Sequence, residues 1–424
     1  MPLSINRSLR LLLILPEYPP SFGGMQTHAV NLSRHLAAQG HQLKVLTCRA
    51  DDPDLHEECL RHDATQSFPV RRVLSRVAHW HSVAQAVAVG RRFAPDLIYA
   101  SNVYFGEVGR VLGVPTVCRS VGNDVMRPWI AYPFRFGSSL LGSRWVGTRL
   151  YRLFRQFNAP EWIERILRDQ RRLVMTQAAR ASACVLANSA FTAALLADLG
   201  LPPDSVRVLT GGVDSRHFQP AETTRPALTG RGPRLLTACR LVPKKGLDFL
   251  ISLMPQIRQR HADAMLDIVG DGRERRRCEA QVARLGLRDC VRFLGRLPQE
   301  SLPVYYWQAD VFVLASRVTR NRISGQRDAE TMGRVLCEAN AAGVPVLASA
   351  SGGIPSVIEH ERNGLLFAEG DPADCLRQLF RLLDDRALSA SLRAAGLQRA
   401  RDEFDWQWIV RAHEQAFAAH VPAI

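Results

Sequence analysis

The sequence predicts an α/β protein made of two doubly wound parallel-sheet domains. Three observations predict it. Short continuous apolar runs have strand length, turns rich in Gly and Pro follow them directly, and apolar residues at helical spacing follow the turns. The pattern starts at residue 9 and again at residue 234, on either side of a stretch rich in Pro, Thr and Gly.

In chain order, 9–15 reads as a buried strand, 16–24 as a turn, and 27–39 as a helix with Ala29, Leu32 and Leu36 on one face. Gly40 closes that helix as a C-cap, and 43–47 is the next strand. Further strands are expected at 97–100, 116–119, 184–187 and 206–208. Residues 219–233 read as a linker. Beyond it, 234–239 is a strand, a polar turn follows, and 246–260 is a helix. Strands at 265–269, 291–294, 311–314 and 344–348 complete the second domain. The expected layout is a first domain over 1–218, a second over 234–404, and a helix over 405–424 returning to the first.

The chain has 424 residues, enough for two or three domains at roughly 150 each. With 46% hydrophobic and 22% charged residues it has ordinary globular composition, which excludes disordered, collagenous and coiled-coil classes. No apolar run approaches the ~18 residues of a membrane-spanning helix. The run 11–15 ends at Pro16 and Glu17, too short for the core of a secretion signal. Nine cysteines without a C-x-x-C pair argue against a zinc site or a disulfide framework, so a cytoplasmic location is expected.

The formal charge is +15, and Lys44, Lys244 and Lys245 are the only lysines. Between Arg127 and Arg180 eleven arginines face only Glu161, Glu164 and Asp169, and nine aromatics accompany them. Trp145, Arg149, Arg152, Phe154 and Arg155 fall at helical spacing there. Residues 127–177 therefore read as a basic aromatic helical insert, either an anchor on an anionic membrane surface or a helical lid with solvated arginines. A nucleic-acid partner is not expected, because no nucleic-acid-binding motif accompanies the charge.

Glu338 is the one carboxylate in the apolar stretch 335–342, so it should meet a polar ligand or an ion-pair partner. The string ETMGRVLCEANAAGVPV, from Glu330 to Val346, resembles the E-x7-E signature of the retaining family 4 glycosyltransferases. The resemblance extends to PPSFGGMQTHAVNLSRHLAAQGHQLKVLT, VLTGGVDSRHF, RLVPKKGLDFLI, IVGDG, VRFLGRLP and SGGIPSVIEHERNGLLF, in family order. It covers most of the chain outside 51–94 and 127–177. It implies the GT-B fold, two Rossmann-like domains facing a cleft, with a sugar nucleotide held mainly by the second.

The same resemblance implies the site. Glu338 would take the ribose hydroxyls and Glu330 the donor sugar, while Arg240 and Lys245 hold the leaving diphosphate. Cations there oppose the charge that grows on the departing oxygen. The family uses this pair where other enzymes use a metal, so neither a metal nor a cofactor is expected. Gly23 and Gly24 open the first helix, and Gly333 with the backbone of Met332 and Arg334 opens a later one. Both places let N–H groups approach phosphate or sugar. Gly352 and Gly353 form a third such turn.

One departure stands out. RSVGNDVM carries Val121-Gly122-Asn123-Asp124 where the family commonly has His-Gly-x-Asp, so Asp124 remains as a candidate catalytic residue without the His. Asn123 or Arg119 are alternatives for the missing polar contacts. The expected activity is retaining transfer from a nucleoside-diphosphate sugar to a glycan or lipid-linked acceptor, in polysaccharide or glycolipid synthesis. The expected place is the cytoplasm or the cytoplasmic face of the membrane. The rivals are a nucleotide-sugar epimerase, a basic nucleic-acid-binding protein and a catalytically weak scaffold.

Overall fold

The computed structural model describes residues 7–20, 23–50, 53–76, 78–126, 161–220, 232–320 and 327–421. They form two compact units, one of Met1–Leu209 with Ile409–Ile424 and one of Thr210–Arg320 with Arg327–Trp408.

In the first unit the strands are β1 (Arg10–Ile14), β2 (Gln42–Cys48), β3 (Val70–Leu74), β4 (Leu97–Ala100), β5 (Thr116–Ser120), β6 (Cys184–Ala187) and β7 (Val206–Val208). All pair in parallel, in the order β3-β2-β1-β4-β5-β6-β7. Helices cover both faces, so Leu11, Leu12, Leu13 and Ile14 of β1 are all buried and the strand is apolar throughout. The chain reverses direction across the sheet between β1 and β4, the place where open sheets of this kind bind ligands. Helix α1 (Gly24–Ala38) follows β1.

The second unit repeats the plan. Its strands are β8 (Arg234–Ala238), β9 (Met265–Val269), β10 (Val291–Gly295), β11 (Val311–Leu314), a two-residue pair β12 (Thr319–Arg320) and β13 (Arg327–Asp328), β14 (Val346–Ser349) and β15 (Leu365–Phe367). The parallel sheet runs β10-β9-β8-β11-β14-β15, with its reversal between β8 and β11. Helix α2 (Leu247–Arg260) follows β8, and α3 (Arg334–Ala341) precedes β14. Helix α4 (Trp406–Ala418) ends the described chain.

Several expectations are corrected. Strands β3 and β15 were not foreseen, and β14 starts at Val346 rather than 344 because Pro345 has no N–H for the ladder. Helix α1 begins at Gly24 rather than 27, its first turn closed by the Thr27 N–H donating to the Gly23 carbonyl at 3.0 Å. Residues 210–218, expected in the first domain, belong to the second unit. There the N–H groups of Gly212 and Val213 both donate to the Phe404 carbonyl, at 3.0 and 2.9 Å, and Phe218 is buried against Tyr306.

Most of the linker, 221–231, and most of the basic insert, 127–160, lie outside the described residues. The helix Glu161–Arg180 is described from its backbone. Its last turns pack Val174, Met175 and Ala179 into the core of the first unit. Arg172 and Arg180 stay exposed and donate to the carbonyls of Asp198 and Gly200 at 2.9 and 3.2 Å. This end of the insert is ordinary core packing with solvated arginines. No described helix is long and apolar enough to cross a membrane.

Candidate active site

The turn from β8 to α2 carries Arg240, Lys244 and Lys245. The Gly-Asp-Gly turn after β9 holds it, with the Leu241 N–H donating to the Asp271 carbonyl and the Glu274 N–H to the Leu241 carbonyl, both at 3.0 Å. Gly246 ends the turn at φ +61, and a Cβ there would stand 1.9 Å from the Ala315 carbonyl oxygen. Only glycine permits that approach.

The two lysines diverge from this turn. Lys244 is buried, its Nζ donating to Asp328 Oδ1 at 2.8 Å and to the Ala329 carbonyl at 2.9 Å. It thereby fixes the segment leading to Glu330. Lys245 Nζ donates to the Glu330 carboxylate itself. Burial alone would lower the Lys245 pKa, but the Glu330 charge outweighs it and the ammonium stands above the usual lysine value. Burial alone would raise the Glu330 pKa, but Lys245 and Lys244 hold it below the usual range. Both groups are therefore charged at neutral pH. Arg240 is exposed, and its charge lowers the pKa of both, adding to the lysines on Glu330 and opposing the rise of Lys245.

Glu330 is also held through its backbone. Its carbonyl accepts the Gly353 N–H at 2.8 Å, and a Cβ on Gly352, at φ +54, would fall 2.1 Å from the same oxygen. The Gly352-Gly353 turn, expected to be a ligand contact, supports the Glu330 main chain.

At the start of α3, Gly333 takes φ +86 and caps the helix, with Met332 buried and Arg334 half-buried beside it. Glu338, one turn further on, is only 3% exposed. Its Oε2 accepts from the Tyr306 hydroxyl at 3.0 Å, and its Oε1 lies 3.5 Å from Arg334 Nε. Burial and the Glu338 charge push the Tyr306 hydroxyl well above its usual pKa, so it remains a donor. Tyr306 and Lys244 escaped the sequence reading. An aromatic in LPVYYWQ reads as core, and Lys244 is overshadowed by its neighbour Lys245.

The structure thus brings Arg240, Lys245, Glu330, Met332, Gly333, Arg334 and Glu338 into one unit, across the β8–α2 turn and the entrance to α3. Two carboxylates and three cations there suit a ligand with hydroxyls at one end and acidic oxygens at the other. Among the described residues no group of three His, Cys, Asp or Glu could hold a metal ion.

The remaining candidates lie in the first unit. Gly24 has open space where a side chain would stand, and Gly23 is extended, although a Cβ there would stand 2.5 Å from Gln26 Oε1 and that flexible side chain would have to move. Asp124 is buried and committed to its own turn. Its Oδ1 accepts from Ser120 Oγ at 2.8 Å and the Val121 N–H at 3.2 Å, and its Oδ2 accepts the Val103 N–H at 3.4 Å. Burial raises its pKa against these bonds. Val121 is a buried apolar residue.

Comparison with known proteins follows the same division. Residues 22–217 match the family described as Glycosyltransferase Family 4, and residues 220–399 match Glycosyl transferases group 1. A GDP-mannose-dependent alpha-(1-6)-phosphatidylinositol monomannoside mannosyltransferase of Mycobacterium tuberculosis is 34% identical over 226 residues, 52% of this chain and 57% of that protein. The chain therefore spans little more than half the length of that relative. Glycogen synthase of the same organism is 27% identical over 97% of this chain and 95% of its own length. The crystal structure of Anabaena Alr3699/HepE in complex with UDP superposes with a TM-score of 0.72 at 19% identity, covering 97% of this chain and 100% of that one. That likeness shows the fold, two Rossmann-like domains of the GT-B type, and the two family matches together span most of the sequence, a Glycosyltransferase Family 4 region followed by a Glycosyl transferases group 1 region.

Proposed function

We propose that the protein is a retaining glycosyltransferase that moves a sugar from a nucleoside-diphosphate sugar to a hydroxyl of a glycan or lipid-linked acceptor. The observation that carries this reading is the Lys245–Glu330 pair beside Arg240, one helix entrance away from the Tyr306-anchored Glu338. Glu338 offers acceptor oxygens for two ribose hydroxyls. Arg240 and Lys245 offer charge-assisted donors for the diphosphate, and Glu330 accepts from hydroxyls of the sugar. As the bond from the anomeric carbon to the diphosphate oxygen breaks, negative charge grows next to the two cations. Their contacts therefore strengthen toward the transition state. The acceptor oxygen bonds to the anomeric carbon on the face the diphosphate leaves, and the acceptor proton goes to the departing oxygen. Configuration is retained.

In this reading the cations do the work of a metal, and no cofactor takes part. Arg240→Ala and Lys245→Ala should each lower turnover more than donor affinity, and EDTA should leave the parent's rate unchanged. Assaying product for transferred sugar against an interconverted nucleotide sugar separates transfer from epimerisation. The related mannosyltransferase acts on a phosphatidylinositol glycolipid, which supports a lipid-linked acceptor and a place at a membrane surface. The arginine- and aromatic-rich composition of 127–160 supports it too. Substituting Glu for Arg149, Arg152 and Arg155 should abolish salt-sensitive binding to anionic vesicles.

A further inference from the structure

A second polar cluster lies in the first unit, at the carboxyl ends of β4 and β5 beside the sheet reversal. Arg119, one residue before the end of β5, is only 5% exposed, yet among the described residues its Nε has no hydrogen-bond partner and it makes no ion pair. Two acidic groups act on it: the Tyr99 hydroxyl, which burial keeps protonated, and Asp124, whose carboxylate is already taken by Ser120, Val121 and Val103. Ser101, directly after β4, is buried as well, and its Oγ also lacks a partner. Ala100 pairs with Cys118, so continuing the register places Ser101 beside Arg119 on the neighbouring strand.

The face they share carries Tyr99 of β4, His28 of α1 and His413 of α4. The Tyr99 hydroxyl lies 3.4 Å from His28 Nε2 and 3.4 Å from His413 Nε2. His413 Nδ1 donates to the Ile409 carbonyl at 2.7 Å, and burial, helped by Arg119, keeps the ring neutral. His413 Nε2 is then an acceptor for the hydrogen bond that the Tyr99 hydroxyl donates. None of these groups neutralises the guanidinium.

We infer that Arg119 and Ser101 form a recognition site for an anionic oxygen group, a phosphate or carboxylate, at the sheet reversal of the first unit. A buried guanidinium without a counter-ion is costly unless something of opposite charge completes it. Its planar fork matches two anionic oxygens, and the adjacent hydroxyl can donate to one of them. Open parallel sheets bind ligands at this place in the fold. Given the proposed function, on which only this last step rests, the group belongs to the acceptor, since the donor's diphosphate is assigned to Arg240 and Lys245.

The test is thermal unfolding of the full chain in a Lys245→Met background, with sodium phosphate against sodium chloride at equal ionic strength. Phosphate should raise the melting temperature saturably, Ser101→Ala should weaken the response, and Arg119→Met should reduce the affinity about tenfold or more. Without phosphate, Arg119→Met should melt higher than its parent, because an unpaired buried charge has gone. A purely structural arginine gives the opposite: Arg119→Met melts lower and phosphate acts equally on all variants, which overturns the site. Should Arg119→Met fail to fold, an unchanged phosphate response in Ser101→Ala overturns it instead.

A second arm uses glycerol 3-phosphate and phosphatidylglycerol vesicles. An Arg119-dependent response to the vesicles assigns a lipid headgroup, and a response to the soluble ester alone assigns a free metabolite. No response to either, with none to phosphate, rejects the site. A wild-type chain that binds phosphate through Arg119 but binds no nucleoside diphosphate would sink the proposed function and leave this site standing.

Discussion

Lys245 and Glu330, each assigned to a different part of the donor, hold each other across the β8–α2 turn. The pairing keeps both side chains charged and aimed at one place, so in the proposed role a diphosphate would meet an ammonium that is already oriented. It also makes their contribution to stability pH-dependent. The Glu330 pKa is depressed on folding, so its contribution is present above the usual 4.5 and is lost as pH falls through the lower folded value. The Lys245 pKa is raised, so its contribution is present below the usual 10.5 and is lost as pH rises through the higher folded value. The stability gap between the wild type and Glu330→Gln should therefore be widest near neutrality and close in acid. Denaturant titration at several pH values measures it, and a gap independent of pH would separate the two groups. Glu338 gives a second residue-scale expectation. Glu338→Gln should weaken nucleoside-diphosphate binding by ~1.5–3 kcal/mol and Tyr306→Phe by about 1 kcal/mol, both read by calorimetry. A Tyr306→Phe loss as large as that of Glu338→Gln would mean that Tyr306 touches the nucleotide itself.

At the scale of elements, most of the strands that the sequence revealed are buried on both faces, the edge strands β7 and β10 being exceptions. β1, β4, β6 and β11 are short apolar runs between turns, and they stand where expected within a residue or two. β3 was hidden because VRRVL sets two adjacent arginines inside a five-residue edge strand, and β15 because three residues leave no periodicity to read. The site was legible through the turns that carry it, since R-x4-K-G and the Glu330–Glu338 spacing are local patterns. Its supports were not legible, because Tyr306 and Gly352 are far from their partners in sequence. Gly352 is the sharpest of these. Gly352→Ala would place a Cβ against the Glu330 carbonyl at a left-handed φ, so it should cost ~1–3 kcal/mol of stability and lower turnover by displacing Glu330. Gly24→Ala meets open space, so its stability should stay within about 0.5 kcal/mol of wild type. If Gly24→Ala nonetheless loses transfer activity, the missing side chain there serves a ligand. Thermal denaturation and a transfer assay on the two variants distinguish these effects.

For the whole molecule, the proposed donor contacts are divided: Arg240, Lys245, Glu330, Met332, Gly333, Arg334 and Glu338 fall in the second unit, while Gly23 and Gly24 fall in the first with Asp124 and the Arg119 cluster. The charged groups proposed to hold the nucleotide are thus separate from Asp124 and Arg119. The second unit should bind a nucleoside-diphosphate sugar through Lys245 and Glu338 whatever the acceptor is. The measurement that tests this most directly is the melting temperature of the full chain against a panel of UDP-, GDP- and ADP-sugars. It is made on the wild type, Lys245→Met and Glu338→Gln. The account predicts a saturable rise with at least one donor, at affinities reduced about tenfold or more in each variant. No rise with any donor, or a rise of equal size and affinity in all three proteins, would contradict it.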